Sequence, residues 1–540
     1  MPFPPFDPLL YHYPSRRNAV YGRRGMVCTG NPLAAQAGLM ALRKGGNAVD
    51  AAVAAAAALT VVEPTANGLG SDAFAIVYTG GRLYGLNASG PAPMAASLQT
   101  LLDAGADKVP ETGVRSSVVP GAVSAWAALN DRFGKLDLLE CLDDAVCYAE
   151  EGFPLEPAVG ASWKASFDRF SRLKAEYPEL ENWFDTFAPG GKCFGPGDIL
   201  RLPGHAKTLK AIGASGGEAF YRGGIAHEIG AYYQKMGGFL REEDLNAYHP
   251  EWVEPLTAGY HGYTVCELPP NGHGIAVLMA LNILEGLEPD HDPFRSLHRQ
   301  IEAMKLAFVD AQQYVADPRF MRAVTPQMLL SAEYAASRRA LVGPEALDPG
   351  PWTPVKGGTV YLCTADGEGN MVSYIQSNYM GFGSGVVVPG TGIAMNNRAA
   401  NFSIDPASPN AFGPGKKPYH TIIPGFLLKD GQPVGPFGIM GGFMQPQAHL
   451  QLMLSTIDGH LNPQDALDKP RWMWSGGKTV EVEQSFDPAL LGQLARAGHK
   501  IVIRPSGGPF GRGEAIWRDA ETGLLCGGCE MRTDGQAAVW

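Results

Sequence analysis

Residues 357–377 read GGTVYLCTADGEGNMVSYIQS, and this stretch decides how the chain is built. From Thr359 to Ala365, and again from Met371 to Ser377, β-branched, aromatic and apolar residues run without a charge. Asp366-Gly-Glu-Gly-Asn370 between them is a turn, so the segment reads as an antiparallel hairpin. A hairpin centred on Glu368 sets residues equidistant from it opposite each other. Thr359 and Ser377 are equidistant, so two hydroxyls face one another across neighbouring strands. A bulge would slip this register by one residue. Taken alone, the pair is an ordinary stabilising Thr–Ser cross-strand contact. Its position is less ordinary, because it opens a sheet directly after residues 343–357, GPEALDPGPWTPVKG, which read as an exposed, flexible connector.

Away from this junction the chain changes character. Before it, helical signals dominate. Asn31 caps a first helix with Pro32 at its first position, and Gly45-Gly46 ends it. A second helix runs from about Ala48 to Val62, stopped by Glu63-Pro64, and its alanines on every side require close neighbours all round. Leu297, Ile301, Met304 and Phe308 mark an amphipathic helix closed by Asp317-Pro318. After the junction come strand signals: TVYLCTA, MVSYIQS, GVVVPG, TIIPGFLL, GKTVEVE and KIVIRP. The chain holds 68 glycines and 43 prolines in 540 residues, with no Gly-X-Y period, which points to a loop-rich globular enzyme and not to a fibre.

Several functions are disfavoured. A net charge of −11 with no Lys/Arg run argues against nucleic-acid binding. The longest uncharged apolar run, Ala51 to Val62, is too short for a membrane span of about 20 residues. Met1 to Tyr21 holds Pro2, Pro4, Pro5, Pro8, Arg16 and Arg17 but no apolar core, so no secretory leader is expected. The eight cysteines are scattered, and Cys526-Gly-Gly-Cys529 has neither a second pair nor a nearby His. The expectation is therefore reduced thiols in the cytoplasm, no metal and no organic cofactor. Gly213-Ala-Ser215-Gly-Gly217 fits G-x-S-x-G, but a helix end precedes it where a nucleophile elbow needs a strand.

The motifs GNAVDAAVAAAAALTVVEP, GLGSDAF, VPGAVSAW, ELPPNGHG, GGTVYLCTADGEGN, NNRAANFS, GKKPYHTIIP and MGGFMQPQ occur in an order that resembles the γ-glutamyltranspeptidase family of N-terminal-nucleophile hydrolases. The resemblance runs from about Val27 to about Arg532. It implies an α+β fold, a four-layer αββα sandwich with two central antiparallel sheets flanked by helices. It implies a precursor that cuts itself between Gly358 and Thr359 into a large subunit, 1–358, and a small one, 359–540, which together form one folded domain. It places the nucleophile on Thr359, the supporting hydroxyl on Ser377 and the oxyanion-hole N–H groups on Gly441-Gly442. A Thr hydroxyl is a weak nucleophile that needs a base. Once Thr359 is a chain terminus, its α-amine, with a reference pKa of about 7.7–8.0, is available for that role.

The departures from the family concern the substrate. The stretch matching Asn87-Ala-Ser-Gly-Pro-Ala-Pro93 lacks the Arg that clamps the glutamyl α-carboxylate. Tyr379 stands for the family's Asn, Arg398 for a Gln, Asn401 for the Asp that holds the α-amino group, and His420-Thr421 for a serine pair. Each lost charge-assisted bond is worth about 1.5–3 kcal/mol, so efficient use of glutathione is not expected. The segment from Phe402 to Lys416 is short for the family, which implies a missing lid and favours hydrolysis over transfer. The pattern is most similar to the branch that includes oxamate amidohydrolase. It implies hydrolysis of a small acid amide, with Arg398 on a substrate carboxylate and Tyr379 and His420 as further donors. Three alternatives stay open: a γ-glutamyltranspeptidase or glutathione hydrolase, an acylase for bulkier amides such as β-lactam side chains, and an uncleaved binding relative. A homodimer of the two-subunit unit is compatible with all the enzyme readings.

Overall fold

The computed structural model describes residues 17–288, 290–350, 358–505 and 509–540. Its centre is the expected hairpin, with strands Gly358–Asp366 and Met371–Tyr379. From Val360↔Gln376 to Ala365↔Met371 the register is the one centred on Glu368. A bulge at the open end pairs Gly358 with Tyr379 and displaces Thr359 from strict opposition. On the turn side, Asp366 Oδ1 accepts from Glu368 N and Asn370 N, closing the hairpin.

Among the described residues the hairpin lies in the middle of a seven-stranded antiparallel sheet. The order is 536–539, 25–29, 358–366, 371–379, 72–79, 82–88 and 251–253. A second antiparallel sheet of seven runs 20–22, 525–529, 512–518, 432–440, 425–429, 263–267 and 256–260. Side chains alternate across a strand, and the two faces of the hairpin go to different cores. Tyr361, Cys363, Ala365, Met371 and Ile375 pack with Phe426, Met440, Ile516 and Leu525 between the sheets. Val360, Leu362, Val372 and Tyr374 face helices on the outside of the first sheet. Helices Ile275–Glu285, Pro293–Tyr314 and Gln445–Ile457 cover the outside of the second. The result is an αββα sandwich.

The alanine-rich helix Ala48–Val62 is buried along its whole length, as its composition requires. Asn47 and Asp50 form a capping box at its start. The Thr364 hydroxyl donates to Ala48 O and Asp366 Oδ2 accepts from Ala48 N, so the helix start is bolted to the hairpin. Helix Pro32–Arg43 begins with Asn31 as cap and Pro32 at its first position. The amphipathic helix of the middle third starts earlier than its apolar stripe, at Pro293 after the capping Asp292.

Three expectations are corrected. Val386–Pro389 is not a strand: Val387 makes one isolated bridge to Ala394, and left-handed glycines at 383, 385, 390 and 392 turn the chain. The strand expected from Thr421 begins only at Gly425, because Pro424 has no N–H for a ladder. The connector is pinned before it reaches the hairpin, with Ala346 N donating to Ala497 O and Leu347 N to Glu302 Oε2. Its remaining residues, 351–357, lie outside the described residues. Gly213 falls in the last turn of helix Pro203–Ala214, so Ser215 sits on a helix end and not on an elbow.

Gly435 shows how tightly the second sheet is laid down. It has φ +150°, and a Cβ there would overlap the carbonyl oxygen of Ile516 on the adjoining strand. Gly435→Ala should cost about 2–3 kcal/mol in urea unfolding, whereas Gly431→Asn, in an open left-handed turn, should cost less than about 0.5 kcal/mol.

Candidate active site

The open end of the hairpin brings three groups together. Thr359 and Ser377 are buried. The Thr359 hydroxyl donates to Ser377 Oγ at 3.0 Å, and Ser377 in turn donates to the carbonyl of Gly358 at 2.7 Å. The backbone N–H of Tyr379 donates to Ser377 Oγ at 2.8 Å. A serine hydroxyl offers one hydrogen and two lone pairs, and here all three are used. Gly358 stands at ordinary contact distance from a wall of backbone: a Cβ on it would lie 3.4 Å from Thr65 O and 3.5 Å from Ala66 Cα. Loop 378–382 is hooked to the same wall, Asn378 N donating to Ala66 O and Phe382 N to Thr65 O. Tyr379 and Phe382 both have positive φ, at 78° and 54°. Such values are uncommon for bulky residues and mark a constrained loop.

A second cluster adjoins the first through strand register, since Ser377 is paired with Asp72 on strand Asp72–Thr79. The Asp72 carboxylate receives Arg398 Nε at 2.9 Å, and His420 Nε2 lies 3.1 Å from the same oxygen. Arg398 Nη1 donates to Thr421 Oγ1 at 2.8 Å, and the guanidinium lies over the Tyr379 ring, 4.8 Å from its centroid. Asp72, Arg398 and His420 are all inaccessible to solvent. Burial pulls the Arg398 guanidinium below its ordinary value, and Asp72 pushes it back up. Burial, reinforced by Arg398, lowers His420 to about 4, so the imidazole is neutral at pH 7. Arg398 Nη2 is left without a hydrogen bond, as is Asn401 Nδ2 in the same short turn, Arg398–Asn401.

Gly441 and Gly442 end strand Gln432–Met440 and lead through a 3₁₀ turn into helix Gln445–Ile457. Their φ values are +139° and +60°, and a Cβ on Gly441 would stand 3.0 Å from Gly511 Cα. The two sheets register against each other step by step. Met371 lies against Gly435, the Ser373 hydroxyl donates to Phe437 O at 3.2 Å, and the Tyr361 ring lies on Gly438.

Of the residues singled out in the sequence, Thr359, Ser377, Tyr379, Arg398, His420 and Thr421 lie in one neighbourhood and Asn401 in the same short turn as Arg398, while Gly441-Gly442 make no hydrogen bond to any of them. Sequence reasoning missed Asp72, although a lone acid at the head of the apolar run DAFAIVYT was a visible signal. Arg398 is also less free than expected, because Asp72 holds one edge of it. Among the described residues one group could hold a metal ion: His298, Glu302 and His499. They lie in the helical layer outside the second sheet, and the Lys305 ammonium already sits 2.7 Å from Glu302 Oε1 and supplies the positive charge. No described helix is long and apolar enough to cross a membrane, and all eight cysteines are unpaired.

Two antiparallel sheets between helices, with a hydroxyl pair where a central strand begins, define the N-terminal-nucleophile hydrolase architecture. The gamma-glutamyltranspeptidase family model matches residues 34–540, and the chain belongs to that family. The chain is similar to a solved cephalosporin acylase from Bacillus halodurans, with 56% identity, 99% of each chain covered and a TM-score of 0.95. The glutathione hydrolase-like YwrD proenzyme of Bacillus subtilis is 34% identical over 96% of this chain and 99% of its own. The oxamate amidohydrolase proenzyme of Klebsiella pneumoniae is 34% identical over 95% and 98%. The protein is thus a hydrolase of a family whose members include amide-cleaving proenzymes.

The buried cluster makes two measurable demands. Asp72→Asn leaves a buried guanidinium without its counter-charge and should destabilise the protein by about 3–5 kcal/mol in urea titrations. His420 has a folded-state pKa of about 4 against an ordinary 6.5, so between those values the unfolded chain binds the extra proton. Wild-type stability conferred by a neutral His420 is therefore lost as pH falls from about 6.5 to 4. His420→Gln should gain stability relative to wild type when the comparison moves from pH 7.5 to pH 4.5.

Proposed function

We propose that this protein is a self-processing amidohydrolase whose nucleophile is Thr359, released as an N-terminus by cleavage of the Gly358–Thr359 bond. The observation that carries the reading is the chain Thr359 Oγ1–Ser377 Oγ–Gly358 O, two contacts of 3.0 and 2.7 Å in a buried setting. In the precursor, the Ser377 hydroxyl polarises the Gly358 carbonyl while the neighbouring Thr359 oxygen attacks its carbon. The peptide C–N bond breaks, an ester to Thr359 Oγ1 forms, and the proton passes to the freed α-amine. Water then hydrolyses the ester and separates chains 1–358 and 359–540.

In the mature enzyme the α-amine of Thr359 takes the hydroxyl proton, and Oγ1 attacks the substrate amide. The N–H groups of Gly441 and Gly442, at the positive end of helix Gln445–Ile457, receive the oxyanion. The leaving amine departs with a proton, and water resolves the acyl-enzyme. No metal or organic cofactor enters these steps. The unpartnered Arg398 Nη2 suits a carboxylate on the acyl portion, with Tyr379, His420 and Thr421 near the guanidinium and Asn401 Nδ2 as a further donor from the same turn. That favours a short acid amide of the oxamate kind. The absence of an Arg in 87–93, and Asn401 in place of an acid, disfavour a zwitterionic γ-glutamyl head group.

A second reading has its own support. The 56% identity to a chain named a cephalosporin acylase favours a larger leaving amine, bound outside the same acyl pocket. The loop 402–416 is short and folded on itself, Ser403 N donating to Asn410 O.

Thr359→Ala should persist as an uncut 57.5 kDa chain without amidase activity. Retained cleavage or turnover in that variant would refute the assignment. Among oxamate, an acylated β-lactam amine and a γ-glutamyl anilide, the γ-glutamyl compound should give the lowest kcat/KM. If it gives the highest, the specificity argument is wrong.

A further inference from the structure

The hairpin of strands Gly425–Lys429 and Gln432–Met440 stops pairing early. Gly425 is paired with Phe437, and two steps further Ile423 would face Ile439. The ladder bonds between them are replaced. Ile423 N donates to Gln445 Oε1 at 3.0 Å, and Ile439 N donates to His449 Nε2 at 3.0 Å. Gln445 and His449 are four residues apart on one helix and so project from one face. Both are fully buried. One helix face therefore supplies the acceptors for both separated strands and acts as a wedge between them.

The wedge is built to stay uncharged. For Nε2 to accept from Ile439, the imidazole hydrogen must be on Nδ1, and Nδ1 lies 2.7 Å from Glu267 Oε1. Burial lowers His449 to about 3, which keeps the Nε2 lone pair across the working pH range. Burial also pushes the Glu267 carboxyl well above the usual carboxylate range, and its Oε2 makes no hydrogen bond. The relay from Glu267 through His449 to Ile439 thus needs no ion.

The chain leaves the wedge in two functional directions. Upstream of Ile423 it runs to Thr421 and His420, which contact Arg398 and Asp72. Downstream of Ile439 it runs to Gly441 and Gly442. We propose that Gln445 and His449, backed by Glu267, are positioning residues that hold these two segments on opposite sides of the acyl group. The proposal rests on the roles given above to Thr359 and the glycine pair.

The experiment uses the full-length processed protein and the best amide substrate found in the panel. In His449→Leu, kcat should fall by about 100-fold, the scale of losing one oxyanion donor, while KM changes little. Amide hydrogen exchange should quicken in residues 437–444 and stay unchanged in 371–379. Glu267→Leu should behave alike, and Glu267→Gln, which keeps an acceptor for Nδ1–H without charge, should recover most of the lost kcat. If His449→Leu fails to fold, the Glu267 pair alone decides. Wild-type kcat in a folded His449→Leu or Glu267→Leu protein, or failure of Glu267→Gln to recover, would overturn the proposal. Unchanged exchange in 437–444 would overturn it even if Thr359→Ala proved active, an outcome that would remove the nucleophile assignment instead.

Discussion

The arrangement of this molecule depends on one shared hydroxyl. Ser377 Oγ donates to the Gly358 carbonyl and accepts from both the Thr359 hydroxyl and the Tyr379 backbone. A single oxygen thereby ties together the Gly358 carbonyl, the Thr359 hydroxyl and the start of the loop at Tyr379, which under the proposed function are the scissile carbonyl, the nucleophile and the edge of the substrate site. It can do so because the hairpin register is regular up to Val360↔Gln376 and then bulges. Without the bulge Thr359 would be one more laddered residue, and its carbonyl neighbour would be tied into the sheet. The rest of the sandwich holds that end still: the alanine helix bolted to the hairpin turn, Thr65 and Ala66 against Gly358, and the second sheet packed beneath Tyr361.

The cluster proposed for recognition is organised around a different constraint, a buried carboxylate. Asp72 sits opposite Ser377 and collects Arg398 and His420 from two distant segments. Burying an ion pair costs desolvation that the attraction only partly repays, so such a pair is costly as a mere support. Here it orients a guanidinium whose Nη2 makes no hydrogen bond, at the start of the short turn that also carries Asn401.

Much of this was legible in the sequence, for identifiable reasons. The hairpin could be read because strand period, turn chemistry and symmetry about Glu368 agree, and the one-residue bulge was the stated exception. The alanine helix could be read because only close packing explains its composition. Asp72 was not read, since its importance lies in a cross-strand register to Ser377 and in contacts with residues more than 300 positions away. The pairing of Gln445 and His449 with two separated strands was equally invisible, because helix spacing shows that the two share a face but not what that face meets. Val386–Pro389 misled because a β-branched run promises a strand, while the glycines around it dictate turns.

The most direct test of the account is peptide mapping of the protein after acid quenching during turnover of its best amide. The account predicts a new N-terminus at Thr359, with the mass of the acyl group on the peptide that begins there. Acyl mass on any other residue, or turnover by a chain still intact across Gly358–Thr359, would contradict it.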